Sequence, residues 1–161
     1  MSLAFCVQGE IMEFEYPEVI PIVHDEYHTQ HIGKTADGIQ FIMAAPFVPA
    51  TDTTKGCEFL ALYLFNRQGK LIEAQIENLG PRSELDETDA KEKYESMLKA
   101  LGEVEFCDVN ISPFSVNKYD VEFGLLKTDS EFVEDEEDIS LEFHPGNYMS
   151  FYPPWDGDYD T

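Results

Sequence analysis

Residues 58–65 read EFLALYLF and residues 70–77 read KLIEAQIE, and this pair of segments decides the fold. The first segment is apolar at both odd and even positions, which is typical of a strand covered on both faces. The second alternates apolar and polar side chains, which is typical of a strand with one exposed face. Asn66-Arg67-Gln68-Gly69 lies between them as a short turn, in which glycine supplies a positive φ. We therefore predict a β-hairpin whose first strand lies in the middle of a sheet.

A change of hydrophobic period marks a single helix. Between about residues 86 and 101, apolar side chains recur at the spacing of one helical face: Ala90, Tyr94, Met97, Leu98 and Leu101. Acidic residues gather at the start of this segment and Lys99 lies near its end, as the helix dipole favours. Gly102 ends the pattern. The sequence therefore predicts one main α-helix over about 86–101.

Most other segments have the patterns of short strands. They cover residues 39–45, 104–111, 119–123, 139–143 and 148–152. Segment 19–23 is apolar but contains Pro21, which favours an edge strand or a connection. We predict a single α+β domain over residues 1–161, with an antiparallel or mixed sheet of about seven to nine strands and the helix packed on one face. An acidic loop at about 129–138 and an aromatic, acidic tail at about 151–161 complete this prediction.

The charge balance restricts the classes of partner. The 161 residues include 33 Asp and Glu against 10 Lys and Arg, for a net charge of −23. Such a field repels phosphate backbones and anionic lipids, so direct nucleic-acid and membrane binding are disfavoured. It attracts a basic protein surface or a metal cation. The alternative is a charge excess that serves solubility alone.

Cysteine usage and hydropathy indicate the compartment. Cys6, Cys57 and Cys107 are odd in number and form no CxxC pair, so neither a disulfide framework nor a zinc knuckle is predicted. No stretch approaches the ~18 apolar residues of a membrane span, and the start lacks the basic flank of a secretion signal. We expect a cytoplasmic protein without a cofactor.

Three of the four histidines lie in one short segment. His24, His28 and His31 occur with Asp25 and Glu26, and imidazoles beside carboxylates are ligands of zinc and iron sites. The spacing would align the three rings only on a helix, whereas Pro21 and Gly33 favour an extended or looping path. The segment therefore has two interpretations, a metal or catalytic site and a polar loop held by hydrogen bonds. Recognised hydrolase signatures such as GxSxG and HExxH do not occur, which favours a non-enzymatic protein.

The C-terminal segment has the composition of a binding surface. Tyr and Trp combine large apolar area with a hydrogen-bonding group, and the candidate partner-binding residues are Tyr152, Trp155, Asp156, Asp158 and Tyr159. The alternative is that these aromatic residues pin the chain end onto the sheet.

Three stretches taken together carry a resemblance. They are residues 27–33 with 37–41, residues 59–65 followed by 79–82, and residues 151–157. From about residue 19 onward, the chain resembles a group of small bacterial proteins of unknown function, some of which carry the label formate hydrogenlyase regulatory protein. The resemblance implies a bacterial protein and transfers no catalytic or binding residue.

These observations give three hypotheses. The first is a non-enzymatic regulatory or immunity-like module whose acidic face binds a basic protein. The second is a metal-dependent or hydrolytic enzyme that uses His24, His28 and His31 with Asp25 or Glu26. The third is a domain stabilised as a homodimer.

Overall fold

The computed structural model describes residues 15–128, 134–135, 138–146 and 148–161. Most of the predicted acidic loop at 129–138 therefore lies outside the described residues. Within them there are twelve strands and one α-helix, in the following order: β1 Ile20–Ile22, β2 Ile32–Thr35, β3 Gln40–Ala44, β4 Phe47–Val48, β5 Cys57–Phe65, β6 Leu71–Gly80, α1 Glu87–Lys99, β7 Val104–Phe106, β8 Val109–Ile111, β9 Phe114–Lys118, β10 Val121–Lys127, β11 Leu141–His144 and β12 Met149–Phe151. A 3₁₀ turn at Arg82–Glu84 precedes α1. The α+β class is confirmed, with sheet predominating.

The predicted hairpin is the centre of the largest sheet. β5 pairs with β6 on one side and with β3 and β4 on the other, and β2 and β7 continue the sheet beyond β3. Side chains of β5 alternate between two clusters of buried residues. Phe59, Ala61 and Tyr63 face the larger cluster, whereas Leu60 and Leu62 face the smaller one. The prediction of a strand covered on both faces is confirmed.

The prediction of one sheet with about seven to nine strands is wrong. The described strands form three sheets: the six-stranded one, a four-stranded sheet in the order β12-β11-β10-β9, and the pair β1-β8. All their pairings are antiparallel. The larger buried cluster joins them, because it contains Phe123 of β10, Phe143 of β11 and Ile20 of β1 beside the residues of β5. Several of the short strands were recognisable in the sequence, but β2, β4 and β9 were not predicted, and neither was the division of the strands among sheets.

Two predicted strands differ from the structure in a way that changes their pairing. Segment 104–111 is divided into β7 and β8, which pair with different strands, β2 and β1. The strand predicted at 119–123 begins later, because Tyr119 and Asp120 form a turn with φ of 55° and 60° between β9 and β10. Positive φ at both central residues is the geometry of a tight hairpin turn.

The helix packs on one face of the six-stranded sheet, as predicted. Tyr94, Met97, Leu98 and Leu101 lie against the smaller buried cluster, whose members are Phe41, Met43, Leu60 and Leu62. Asp86 caps the helix by accepting a hydrogen bond from the backbone N–H of Asp89 at 3.1 Å. The other face of the same sheet covers the larger cluster, so the order of layers is helix, sheet, core and smaller sheets.

Candidate functional site

A cleft lies where the histidine-rich segment meets the C-terminal segment. We call it the Asp25–Asp158 cleft; its volume is about 430 Å³, and its lining residues are Val23, Asp25, Tyr27, Gly157, Asp158, Tyr159 and Thr161. Two carboxylates and two phenol rings therefore share one concave surface. The cleft unites two segments that the sequence marked separately as candidate sites.

Asp25 organises one wall of the cleft. Its Oδ1 accepts hydrogen bonds from the backbone N–H groups of Tyr27 at 2.7 Å and Thr29 at 3.2 Å. The hydroxyl of Thr29, which is fully buried, donates to the carbonyl of Val23 at 2.7 Å and closes the same turn. An aspartate side chain that accepts backbone N–H groups two residues onward is a standard way to fix a turn. The histidine-rich segment is therefore a structured loop.

The other carboxylate oxygen of Asp25 binds the C-terminal segment. The hydroxyl of Tyr159 donates to Asp25 Oδ2 at 2.5 Å and accepts from the backbone N–H of His28 at 3.2 Å. Burial raises the pKa of Asp25, but the hydrogen bonds from Tyr159 and from the turn outweigh it and lower the pKa to about 2. Burial and the Asp25 hydrogen bond raise the pKa of Tyr159 to about 12. A charged Asp25 and a neutral Tyr159 are thus the stable pair at physiological pH.

Aromatic rings lie in the cleft and beside it. Tyr27 is 68% exposed, and its ring lies 4.0 Å from the ring of His28, centroid to centroid. His28 is also 6.0 Å from the rings of Tyr148 and Tyr159. An exposed phenol ring beside carboxylates offers a π face and negative charge to the same ligand, which suits a cation.

The C-terminal segment is fixed to the body of the protein. Ser150 and Asp160 exchange two backbone hydrogen bonds of 2.9 Å. Gly157 has φ of +96°, and a Cβ there would lie 2.7 Å from Cγ2 of Val23. Asp156 accepts a hydrogen bond from the backbone N–H of Asp158 at 3.1 Å. The segment therefore holds Asp158 and Tyr159 in place at the cleft.

Two of the five predicted partner-binding residues belong to the cleft lining. Asp158 and Tyr159 line the cleft. Trp155 is half-buried against the core, with its ring 6.3 Å from that of Tyr16. Tyr152, 40% exposed, and Asp156 lie outside the cleft lining.

The three candidate imidazoles lie in two places. His24 and His31 flank Phe106, with ring centroids 6.3 and 5.4 Å from it, whereas His28 stands among the tyrosines of the cleft. His24 Nε2 is 3.0 Å from the carbonyl oxygen of Gln30, and the backbone N–H of His24 donates to Asp108.

His31 connects the loop to the helix. Its Nδ1 lies 2.6 Å from the hydroxyl of Tyr94 on α1. Burial lowers the pKa of His31, and the positive charge of His24 lowers it further, while Glu26 acts in the opposite direction. Among the residues that the structure describes, no group of three or more His, Cys, Asp or Glu side chains is arranged to hold a metal ion. Of the two candidate carboxylates, Asp25 accepts hydrogen bonds from Tyr159 and from the turn, and Glu26 is exposed.

Sequence reasoning missed Tyr27 as a site residue and assigned Asp25 only to the metal hypothesis. An aspartate at position 25 is a signal for a turn held by its side chain, but this signal does not show that Tyr27 is exposed beside it. The partnership of Asp25 with Tyr159 has no signal in one sequence, because 134 positions separate the two residues.

Comparisons with known proteins found no match to this chain among family models, curated proteins or solved structures. In the described part of the chain, no helix has the length and apolar character needed to cross a membrane.

Proposed function

We propose that this protein is a non-enzymatic binding module that recognises a basic protein through the Asp25–Asp158 cleft. The observation that carries the proposal is the meeting of Asp25, Tyr27, Asp158 and Tyr159 in one cleft of about 430 Å³. Carboxylates and an exposed phenol ring fit a lysine or arginine side chain, with arginine the better match to paired oxygens and a π face.

The state of the cleft before binding supports this function. The turn and Tyr159 already hold the Asp25 carboxylate in its charged form, so little ordering is required when a cation arrives. Asp158 is exposed and its carboxylate is available to a ligand. The ring of Tyr27 lies beside that of His28, with centroids 4.0 Å apart.

The net charge of −23 supports a basic partner over other classes. A field of this sign accelerates the approach of a basic surface and opposes that of nucleic acid or an anionic membrane. With the resemblance to small bacterial proteins, we propose a bacterial cytoplasmic protein with a regulatory or immunity-like role. The cleft requires no cofactor for this role.

The test begins with a photo-crosslinking amino acid at position 27, used to trap and identify the partner that occupies the cleft. The purified partner is then titrated against wild-type protein and the variants Tyr27→Ala and Asp158→Asn. Asp52→Asn, which neutralises an exposed carboxylate outside the cleft, is the matched control.

We expect a basic partner whose affinity falls by about tenfold or more in Tyr27→Ala and Asp158→Asn, and falls little in Asp52→Asn. The affinity should also decrease with added salt. A partner that is neutral or acidic, equal affinity of all four proteins, or no crosslinked protein would each refute the proposal.

A further inference from the structure

β6 is the longest strand of the described residues and forms an edge of the six-stranded sheet. Eight of its ten residues pair with β5, and no other described strand pairs with it. Irregularities at residues 64–65 and 58–59 of β5 leave a regular stretch of β6 from Glu73 to Asn78. A long edge strand carries backbone groups that can pair with another chain.

The direction of these backbone groups follows from one contact. The carbonyl of Ile76 accepts hydrogen bonds from Lys118 Nζ at 3.3 Å and from the hydroxyl of Tyr119 at 3.4 Å, so it points away from β5. In an antiparallel ladder, backbone groups alternate between the partner strand and the free side. The N–H and C=O groups of Ala74 and Asn78 therefore also point outward.

The side chains beside this edge are acidic on one face. Glu73, Gln75 and Glu77 are exposed and share the helix side of the sheet, opposite Leu64, Leu62 and Leu60 of β5. The amide of Gln75 donates to Glu73 Oε2 at 2.6 Å, which orients that carboxylate along the strand. The ammonium group of Lys118 lies at the same edge, on the carbonyl of Ile76.

We propose that β6 is a second recognition surface, which binds an extended basic segment of a partner protein by adding it to the sheet as a further strand. Backbone hydrogen bonds to Ala74 and Asn78 give the affinity. Lysine or arginine at alternate positions of the added strand lies beside Glu73 and Glu77 and gives the specificity. Full pairing requires the side chains of Lys118 and Tyr119 to leave the carbonyl of Ile76.

A second copy of this chain fits the edge less well. Pairing β6 with itself brings Glu73 and Glu77 of both strands onto one face, where like charges repel, and the two chains each carry a net charge of −23. With a basic strand, both the side-chain contacts on this face and the net charges of the two molecules are attractive.

The probe is a blocked synthetic peptide of about nine residues with lysine and threonine in alternation, longer than the ~5–6 residues of a typical strand. Two further peptides have the same sequence with backbone N-methyl groups on every second residue, one at the odd and one at the even positions. Only one of these sets can face β6. We expect the parent peptide to bind and only one methylated peptide to lose affinity, by about tenfold or more.

Two variants of the protein complete the test. Ala74→Pro removes one outward N–H and leaves the ladder to β5 intact, because a proline is tolerated where the N–H faces solvent. Glu73→Lys with Glu77→Lys reverses the local charge. Glu92→Lys with Glu103→Lys, both exposed and outside β6, makes the same change in net charge elsewhere.

We expect the first two proteins, but not the control, to bind the parent peptide at least about tenfold more weakly. Melting temperatures near the wild-type value show that each variant is folded. The proposal would be overturned by an equal loss of affinity with both methylated peptides, by an equal loss of affinity in the control protein, or by no binding even at low salt. If light scattering shows that the wild type is a dimer and Ala74→Pro is not, the edge serves self-association instead. Binding retained in Tyr27→Ala separates this surface from the Asp25–Asp158 cleft.

Discussion

The hydroxyl of Tyr159 donates a hydrogen bond of 2.5 Å to Oδ2 of Asp25, across 134 positions of the sequence. This bond joins the loop after β1 to the C-terminal segment. It is also the largest of the contacts that lower the pKa of that carboxyl to about 2. One contact thus joins an acidic group of the cleft to the C-terminal segment that lines it.

Tyr159→Phe should destabilise the protein by about 1 kcal/mol at neutral pH, which is less than is typical of a bond to a charged group because Asp25 is partly exposed. Urea unfolding measures this change in free energy. Tyr152→Phe is the control, since the side chain of Tyr152 is exposed and should contribute little.

The same variant has a predicted pH signature. The pKa of Asp25 is about 2 in the folded protein and about 3.9 when unfolded, so its stabilisation is complete above pH ~4 and is lost as the pH falls toward 2. The difference between wild type and Tyr159→Phe should therefore shrink over that window. A difference that is absent at pH 7, or that grows in acid, would show that the bond is not formed.

The second prediction concerns His31. Burial and the neighbouring His24 lower the pKa of His31 below its usual value. Since the unfolded pKa is about 6.5, the neutral ring contributes fully to stability above that pH, and the contribution is lost as the pH falls below it. The melting temperature of wild type should fall between pH 7.5 and about 5.5 more steeply than that of His31→Gln. Parallel curves for the two proteins would contradict the prediction.

Local patterns were sufficient to predict the hairpin of β5 and β6 and the helix at Glu87–Lys99, because each has a periodicity and its own end signals. They did not predict that Tyr119 and Asp120 form a turn, since neither is a glycine and both have positive φ. The division into three sheets depends on packing between distant strands. For the same reason, the sequence marked both walls of the cleft and did not reveal that they meet.

The third prediction concerns a polar atom in the core. The hydroxyl of Tyr63 is buried and has no hydrogen-bond partner among the described residues, and burial raises its pKa. A buried hydroxyl without a partner costs free energy, so Tyr63→Phe should leave stability unchanged or increase it by about 1 kcal/mol. Tyr94→Phe, which removes a hydroxyl bonded to His31, should decrease stability by a similar amount. Equal destabilisation by both variants would show that a bound water satisfies Tyr63.

The fourth prediction tests the metal hypothesis directly. His28 lies apart from His24 and His31, and no group of three or more His, Cys, Asp or Glu side chains in the described residues is arranged to hold a metal ion. Adding zinc to untagged protein should leave the melting temperature unchanged, because a ligand stabilises only the state that binds it. A rise in melting temperature that saturates at one zinc per chain and is absent in His24→Ala would support the metal hypothesis instead.

The last prediction concerns the packing of β2 against β7, which positions both His31 and Phe106. Gly33 of β2 lies opposite Phe106, and a Cβ at this position would lie 1.9 Å from the backbone oxygen of Glu105. Because backbone must move to relieve this clash, Gly33→Ala should cost more than about 2 kcal/mol. Gly102→Ala is the matched control: its φ of +78° is unfavourable for alanine, but no atom lies within 4 Å of the added Cβ, so the cost should be about 1 kcal/mol. Equal destabilisation by the two substitutions would show that β7 is not held against β2 at this distance, and the contacts of His31 with Phe106 would then require revision.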